Sequence, residues 1–296
     1  MSIDEVTNLN GLSWVIPGPT NIGVIEVEDG VLLIDSGNDK ESGRRINKII
    51  TERKWKLLGI INTHSNADHI GGNDYLQRMY NCKIYSSQTE KAFIESPKIE
   101  SSFLWGGFPV KELNNKFFEA KTSSVTNVID EQSILPGNNR VVALPGHFFE
   151  MIVIITNDNV CYLVDCLFGE ATLSKYKIPY IYDVYNFRKT IEKITTLEMD
   201  YFVMSHGNIE TDINEIAHKN LFVVDKIEKR ILEIVKNKNT FDNILKNLCD
   251  DMDIILNCGQ YALIGNTIRS FLSYLYNADK VQYEFVDNKL FWSEKQ

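Results

Sequence analysis

Residues 58–72 read LGIINTHSNADHIGG, an apolar run that is followed within a few residues by His64, Asp68 and His69. Imidazole and carboxylate groups are common ligands of catalytic zinc and related divalent metals. In α/β folds, functional sites form beyond the carboxyl ends of the strands. The stretch therefore predicts a strand that ends at a metal site.

The same pattern recurs at three later points, where an apolar run ends within three residues on a potential ligand. VVAL precedes His147, YLV precedes Asp165, and FVM precedes His206. The chain has 5 histidines, and four of them lie in these turns; His218 is interpreted as a bystander. We therefore expect one metal site that contains the following residues: His64, Asp68, His69, His147, Asp165 and His206.

The segments THSNADHIGG, LPGH, LVD and MSHG together resemble the motif series of the metallo-β-lactamase-fold hydrolase superfamily, over about residues 12–207. The resemblance implies an αββα sandwich with a dinuclear, usually zinc, site at its edge. The implied ligands are His64 and His147 for the first metal, Asp68, His69 and His206 for the second, and Asp165 as the bridge.

One position departs from the family's H-x-H-x-D-H run, because Asn66 stands where a histidine of the first metal position is expected. An amide oxygen is a weak ligand for zinc compared with imidazole. Asn66 is therefore predicted to be a weak ligand or a neighbour of the ligands. We expect one or two zinc ions with uneven occupancy, or a harder metal such as Mn²⁺ or Fe²⁺.

A metal in such a site lowers the pKa of a bound water to about 7. The predicted function is a metal-dependent hydrolase that uses a metal-bound hydroxide on a small-molecule ester, thioester, lactone or lactam. Asp68 is the predicted catalytic residue, because it can both bind metal and take a proton. Asp35 and Ser36 follow an apolar run and either hold the imidazoles or only form a turn.

Two other functions stay open from the sequence. A non-hydrolytic metal-binding or sensing protein is one, with Asn66 as the mark of lost catalysis. A phosphodiesterase or nuclease is the other, although the basic residues in the relevant region are only Lys175, Lys177 and Arg188. A fold alone does not decide between these functions.

The alternation of strands and helices up to about residue 205 predicts an α/β fold. We expect a catalytic domain over residues 1–208, interrupted at 96–126 by a lid-like insertion without a clear period. In that insertion, Trp105 and Phe108 flank two glycines and are predicted to bind substrate. The alternatives are that these aromatic side chains fill a surface groove or contact a second subunit.

Residues 209–296 are predicted to form a helical, winged-helix-like domain that ends in a hairpin across Asp287-Asn288. Residues 221–296 contain ten basic and eleven acidic side chains, and helix 260–277 carries only Arg269 as a charged residue. Binding of nucleic acid depends on Lys and Arg contacts to phosphates, so it is not expected. A structural or dimerising tail, and thus a possible homodimer, is predicted instead.

The composition indicates a soluble cytoplasmic protein with a small-molecule substrate and no membrane partner. The net charge is −9 over 296 residues, and no apolar stretch reaches the length of a membrane span or of a signal peptide. The 5 cysteines form no C-x-x-C pair, which disfavours a zinc ribbon or a disulfide framework. Cys166 alone, directly after Asp165, is a weak candidate for contact with the site.

Overall fold

A computed structural model describes residues 6–295, and its two larger β-sheets lie face to face. Seven strands of the described residues form the first sheet, in the order of the chain. They are β1 (Thr7–Asn10), β2 (Ser13–Ile16), β3 (Ile22–Val27), β4 (Gly30–Ile34), β5 (Leu57–Ile61), β6 (Lys83–Ser86) and β7 (Asn127–Val128).

Strands β1 to β4 run antiparallel to one another, whereas β4 to β7 run parallel. The hairpin predicted at Asp29-Gly30 is present, with Val27 paired to Gly30. Because parallel strands end at the same edge of a sheet, the residues after β4 and β5 reach a common edge.

The second sheet contains five strands in the order β12-β11-β10-β9-β8. These strands are β8 (Arg140–Ala143), β9 (Ile152–Ile155), β10 (Val160–Val164), β11 (Tyr201–Met204) and β12 (Ile209–Glu210). Strands β10 and β11 are parallel, and the other neighbours are antiparallel. The residues that follow β10 and β11 therefore also reach one edge.

The helices lie against the outer faces of the two sheets or in the tail, and none within residues 6–295 has both the length and the apolar stretch needed to cross a bilayer. They are α1 (Lys40–Glu52), α2 (Ala67–Ile70), α3 (Asn73–Tyr80), α4 (Gln88–Glu95), α5 (Lys98–Trp105), α6 (Glu170–Tyr176), α7 (Val184–Ile194), α8 (Asn214–Val235), α9 (Phe241–Asp251) and α10 (Cys258–Asn277).

The alternation of side chains along the strands creates the layers. In β4, Leu32 and Ile34 face the second sheet, whereas Val31 and Leu33 pack with α1 and α3 on the other side. Successive side chains of a strand point to opposite faces, so both faces of this buried strand are apolar. The result is the αββα sandwich expected from the sequence.

The insertion at 96–126 is more regular than its sequence suggests, because it contains α5 and a short 3-10 turn at Lys111–Leu113. The buried face of α5 consists of Glu100, Ser101 and Leu104. Two of these three residues are polar, so the helix has no apolar period that could be read from the sequence.

The tail contains the expected three helices and hairpin, β14 (Val281–Val286) and β15 (Lys289–Glu294), with β13 (Asn239–Thr240) beside β15. Buried residues of α8, α9 and α10 belong to the same hydrophobic cluster as the second sheet. The tail therefore packs on the catalytic region, while its winged-helix character and the boundary at 208 stay predictions.

Gly23 in β3 allows the two sheets to approach, because a Cβ there would lie 2.6 Å from the ring of the buried Tyr162. The Tyr162 hydroxyl donates to the Trp14 carbonyl (2.9 Å), which holds the ring in place. We expect Gly23→Ala to lower the free energy of unfolding by about 1–3 kcal/mol, measured by urea denaturation. Gly107→Ala is the control, because no atom of the described residues lies within 4 Å of its Cβ position. Equal stability of the two variants would contradict this account.

Candidate metal centre

The predicted ligands follow the ends of four strands, as the sequence suggested. His64 follows β5, His147 follows β8, Asp165 directly follows β10, and His206 follows β11. The other two ligands, Asp68 and His69, lie on the short helix α2, whose sequence continues the turn after His64.

Asp165 lies at the centre of the group. Its Oδ2 is 3.5 Å from Nε2 of His69, 3.6 Å from Nε2 of His147 and 3.7 Å from Nε2 of His206. Nε2 of His206 is also 2.9 Å from Oδ2 of Asp68. The carboxylate of Asp165 therefore faces three imidazoles at once, which is the arrangement that a bridging ligand needs.

Two overlapping groups of ligand atoms can be distinguished. Atoms of His64, His69 and Asp165 lie within 4.8 Å of one another, and so do atoms of Asp68, His69 and His206. The rings of His64 and His147 are 5.1 Å apart, so the imidazole of His147 closes the first group. The structure thus brings all six predicted residues to one place.

Three imidazoles are held through Nδ1 by an oxygen that can only accept a hydrogen bond. The partners are Asp35 Oδ2 for His69 (2.7 Å), the Pro19 carbonyl for His206 (2.8 Å) and the Tyr180 carbonyl for His147 (3.1 Å). Each Nδ1 must therefore carry the hydrogen, and the lone pair of a neutral ring is at Nε2.

The fourth imidazole, His64, is held in the same sense through Thr63. The Thr63 hydroxyl donates to Asp35 Oδ2 (2.8 Å), so it accepts from Nδ1 of His64 (3.1 Å). The Thr63 amide also donates to Asp35 Oδ1 (2.9 Å). Asp35 thus orients two imidazoles, one directly and one through a neighbour. Ser36 contacts the backbone carbonyl of His69 rather than its ring.

These orientations fit a divalent cation. Nε2 of His64, Nε2 of His69 and Oδ1 of Asp165 are buried and have no hydrogen-bond partner among the described residues. A buried polar atom without a partner costs about 1–3 kcal/mol. A metal ion among these lone pairs would satisfy them, and nitrogen and carboxylate donors are the ligands that zinc prefers.

The electrostatics agree with an anionic site that attracts positive charge. Burial opposes ionisation of Asp165, but His206 and His69 hold its pKa well below the usual value. Burial lowers the pKa of His206, but Asp165 and Asp68 outweigh burial and raise it to about 9. Burial, together with the neighbouring His69 and His147, holds the pKa of His64 well below its usual value. The carboxylates therefore favour a cation at the second position.

Backbone strain accompanies two of the carboxylates. Asp35 has φ +64° and Val164, directly before Asp165, has φ +50°. Positive φ is unusual for a residue with a Cβ and is an outlier for a β-branched one. Such strain persists where the surrounding structure imposes it, often at functional sites. The strand ends thus turn sharply to aim these side chains.

Asn66 lies beside the first position. Its Oδ1 is 3.0 Å from Nε2 of His147, and its Nδ2 donates to Oε1 of Glu100 (2.7 Å). Glu100 belongs to α5 and is only 5% exposed. The sequence analysis missed this residue. Its local sequence gives no signal of burial, because the buried face of α5 is partly polar.

A second buried glutamate, Glu90 on α4, was also missed. Its carboxylate accepts from the amide (2.9 Å) and hydroxyl (2.6 Å) of Ser65 and from the amide of Glu150 (2.8 Å). Burial raises the pKa of Glu90 to about 7. This residue holds the turn that carries His64, and nothing in its local sequence separates it from a glutamate that faces solvent.

The predicted substrate-binding aromatics lie farther along the insertion. Trp105 packs near Tyr261 of α10, with ring centroids 6.3 Å apart, and the Lys98 ammonium lies 4.5 Å from the Phe108 ring. Phe108 is 78% exposed. Their contact with substrate stays a prediction. Cys166 is buried in the main core cluster.

Comparison with known proteins identifies the same region. A family model described as the metallo-beta-lactamase superfamily matches residues 15–206. The chain is 23% identical over 224 residues to a "Beta-lactamase-like protein 2 homolog" of Drosophila melanogaster, covering 73% of this chain and 68% of that protein. It is 26% identical over 148 residues to a hydroxyacylglutathione hydrolase of Nitrobacter hamburgensis, covering 47% of this chain and about half (48%) of the relative.

Solved structures share the fold over nearly the whole chain. The crystal structure of a beta-lactamase domain protein from Burkholderia ambifaria matches with a TM-score of 0.78 and 13% identity, covering 99% of this chain and 94% of that one. At this identity the similarity concerns the architecture alone.

The first metal position should lose its ion before the second, because Asn66 replaces an imidazole there. We expect stepwise dialysis against a dilute chelator to remove one equivalent of metal before the other. Elemental analysis after each step measures the metal content per chain. Asn66→His should increase the metal affinity of the weaker step by about tenfold or more. Even mutation of residues that only hydrogen-bond to metal ligands typically changes metal affinity by about 10- to 100-fold.

Asn237→His, which adds an imidazole at an exposed position of the tail, is the control. Simultaneous loss of both ions, or an unchanged affinity in Asn66→His, would contradict the asymmetry.

Proposed function

The chain belongs to the metallo-beta-lactamase superfamily and is a metal-dependent hydrolase, and we propose that its substrate is a small-molecule ester, thioester, lactone or lactam. The observation that carries this proposal is the convergence of four Nε2 atoms and two carboxylates on one point. The name of the hydroxyacylglutathione hydrolase relative supports an acyl substrate.

A divalent ion bound at this point would supply a coordinated water with a pKa near 7 and a positive charge beside the substrate oxygen. We propose zinc, with Mn²⁺ or Fe²⁺ as the alternatives at the position next to Asn66. The first position would be held by His64, His147 and Asp165. The second would be held by Asp68, His69 and His206, which share the bridge.

The second position is the side from which substrate can approach. The side chains of Asp68 and His206 are 35% and 26% exposed, whereas that of His69 is fully buried. Asp68 has two carboxylate oxygens, so it can bind metal through one and accept the proton of the attacking water on the other. The buried imidazoles keep their Nε2 atoms fixed, which limits reorganisation during the reaction.

The phosphodiesterase alternative has less support. A phosphate ester would need cations near the reacting group. The Lys177 ammonium instead donates to the Met252 carbonyl, and Arg188 pairs with Asp225 and Glu228 at 2.7 Å each. Two of the three basic residues in question are therefore engaged in holding the tail and the outer helices.

A cytoplasmic location is also proposed. All five cysteines are free in the structure, and four of them are buried. Free buried thiols are usual in a reducing compartment, where disulfides are rare.

The proposal is tested by a panel of chromogenic esters, thioesters, lactones, cephalosporins and bis-phosphates, assayed with the metal-loaded protein. We expect turnover of an acyl substrate, and Asp68→Asn should lower kcat by about 100-fold or more because the proton acceptor is lost. Asp74→Asn is the matched control, since this carboxylate pairs with Arg78 on the surface.

Preference for the bis-phosphate would favour the phosphodiesterase. Metal binding without turnover of any substrate would favour the non-hydrolytic alternative.

The insertion is proposed to contact the same substrate. Trp105→Ala and Phe108→Ala should each raise KM by about tenfold, because each removes apolar contact worth roughly 1.5 kcal/mol. Substrate-dependent quenching of tryptophan fluorescence should also decrease in Trp105→Ala. Phe222→Ala, which removes an exposed aromatic from α8, is the control. Unchanged KM and quenching in both insertion variants would exclude this role.

A further inference from the structure

Asn66 has an unusual orientation for the residue that precedes a helix. It occupies the N-cap of α2, where an asparagine side chain ordinarily accepts a hydrogen bond from the first turn of the helix. Here the side chain makes no capping bond. It turns instead into the metal centre, between His147 and Glu100. Giving up a cap costs about 1 kcal/mol, so another interaction must hold the amide in place.

The amide and the imidazole face each other through two acceptor atoms. Nδ1 of His147 donates to the Tyr180 carbonyl, so Nε2 of the neutral ring carries a lone pair. Oδ1 of Asn66 lies 3.0 Å from that nitrogen. Two lone pairs at this distance repel, unless a cation binds both. Two ligand atoms that each lie about 2 Å from one ion are separated by roughly 3 Å when they occupy adjacent positions.

The alternative orientation of the amide is opposed by Glu100. Rotating the amide by 180° would let Nδ2 donate to His147, but it would place Oδ1 against Oε1 of Glu100, now 2.7 Å from Nδ2. In the orientation seen here, Glu100 accepts from the amide N–H, which polarises the amide and increases the electron density at Oδ1, the atom that would bind metal. Burial raises the pKa of the Glu100 carboxyl well above its usual value, so the ionised form of Glu100, which opposes the rotated amide, requires positive charge nearby.

We propose that Asn66 binds a divalent metal at the first position through Oδ1, and that Glu100 is the positioning residue that orients and polarises this amide. The proposal rests on the metal site of the proposed function and concerns only how its first position is completed. The pair would replace the missing imidazole with an oxygen ligand supported by a carboxylate. The first position would then have two imidazole nitrogens and two oxygens, as the second does, but one of its oxygens would belong to an uncharged amide, which is a weaker ligand for zinc than an imidazole.

This assignment also connects the insertion to the metals. Glu100 is fixed by the packing of α5. Leu104 of this helix belongs to a hydrophobic cluster with Leu113 of the insertion and Ala262 of the tail. The amide of Asn266 on α10 donates to the Leu104 carbonyl (2.7 Å). The carboxylate that supports Asn66 is therefore held from the tail side of the molecule.

The test measures metal binding by the full chain rather than turnover. The protein is stripped with chelator and titrated with Mn²⁺ and with Co²⁺, and the two binding steps are followed by calorimetry and by the visible absorption of Co²⁺. Glu100→Gln should weaken the weaker step by about 10- to 100-fold and leave the tighter step unchanged. Asn66→Ala should weaken the same step. Glu112→Gln, an exposed acid of the same insertion, is the control.

The double variant decides whether Glu100 acts through Asn66. In the Asn66→Ala background, Glu100→Gln should have no further effect, because the amide that it supports is gone. Equal weakening in both backgrounds would overturn the proposal, and so would an unchanged first step in Glu100→Gln. The tighter step reports that each variant is folded. Intact two-step binding without hydrolysis would contradict the proposed function while leaving this inference standing.

Discussion

The structure depends on the hydrogen bonds that hold each imidazole by its Nδ1. Carbonyl and carboxylate oxygens accept from His69, His147 and His206, and Thr63 accepts from His64. Because those oxygens lie outside the centre, the Nε2 atom of every ring points inward. Without a cation, Nε2 of His64, Nε2 of His69 and Oδ1 of Asp165 would have no hydrogen-bond partner among the described residues. Metal binding and the folding of these turns therefore stabilise each other.

The αββα sandwich brings the residues that form those hydrogen bonds close together. Because β4 and β5 are parallel, they end at one edge of the first sheet, and β10 and β11 likewise end at one edge of the second. The two sheets pack face to face, so these two edges lie next to each other. The polypeptide then turns through unfavourable backbone angles at Asp35 and Val164. The buried strands behind these residues make the turns rigid, so the ligands are placed by the core rather than by their own loops.

The α/β fold and the clustering of the six ligand-type residues could be predicted from the sequence. Four apolar runs, each followed by a histidine or aspartate, predict strands whose ends carry the residues of one site. The same logic could not find Glu90 or Glu100. A glutamate on a helix is ordinarily exposed, and only the tertiary structure shows that these two are buried. The helix α5 in the insertion was not predicted for a related reason, because its buried face is partly polar. Asn66 was visible as a departure from the family pattern, but its partner was not.

The position of Asp35 has a consequence for how the two metal positions communicate. One carboxylate receives Nδ1 of His69 directly and, through the Thr63 hydroxyl, the hydrogen bond from His64. The orientations of both rings therefore depend on a single shared acceptor. Any effect that an ion at one position has on the affinity of the other is reciprocal, as thermodynamic linkage requires. Asp35 thus connects the two positions through hydrogen bonds, because one carboxylate fixes a ligand of each.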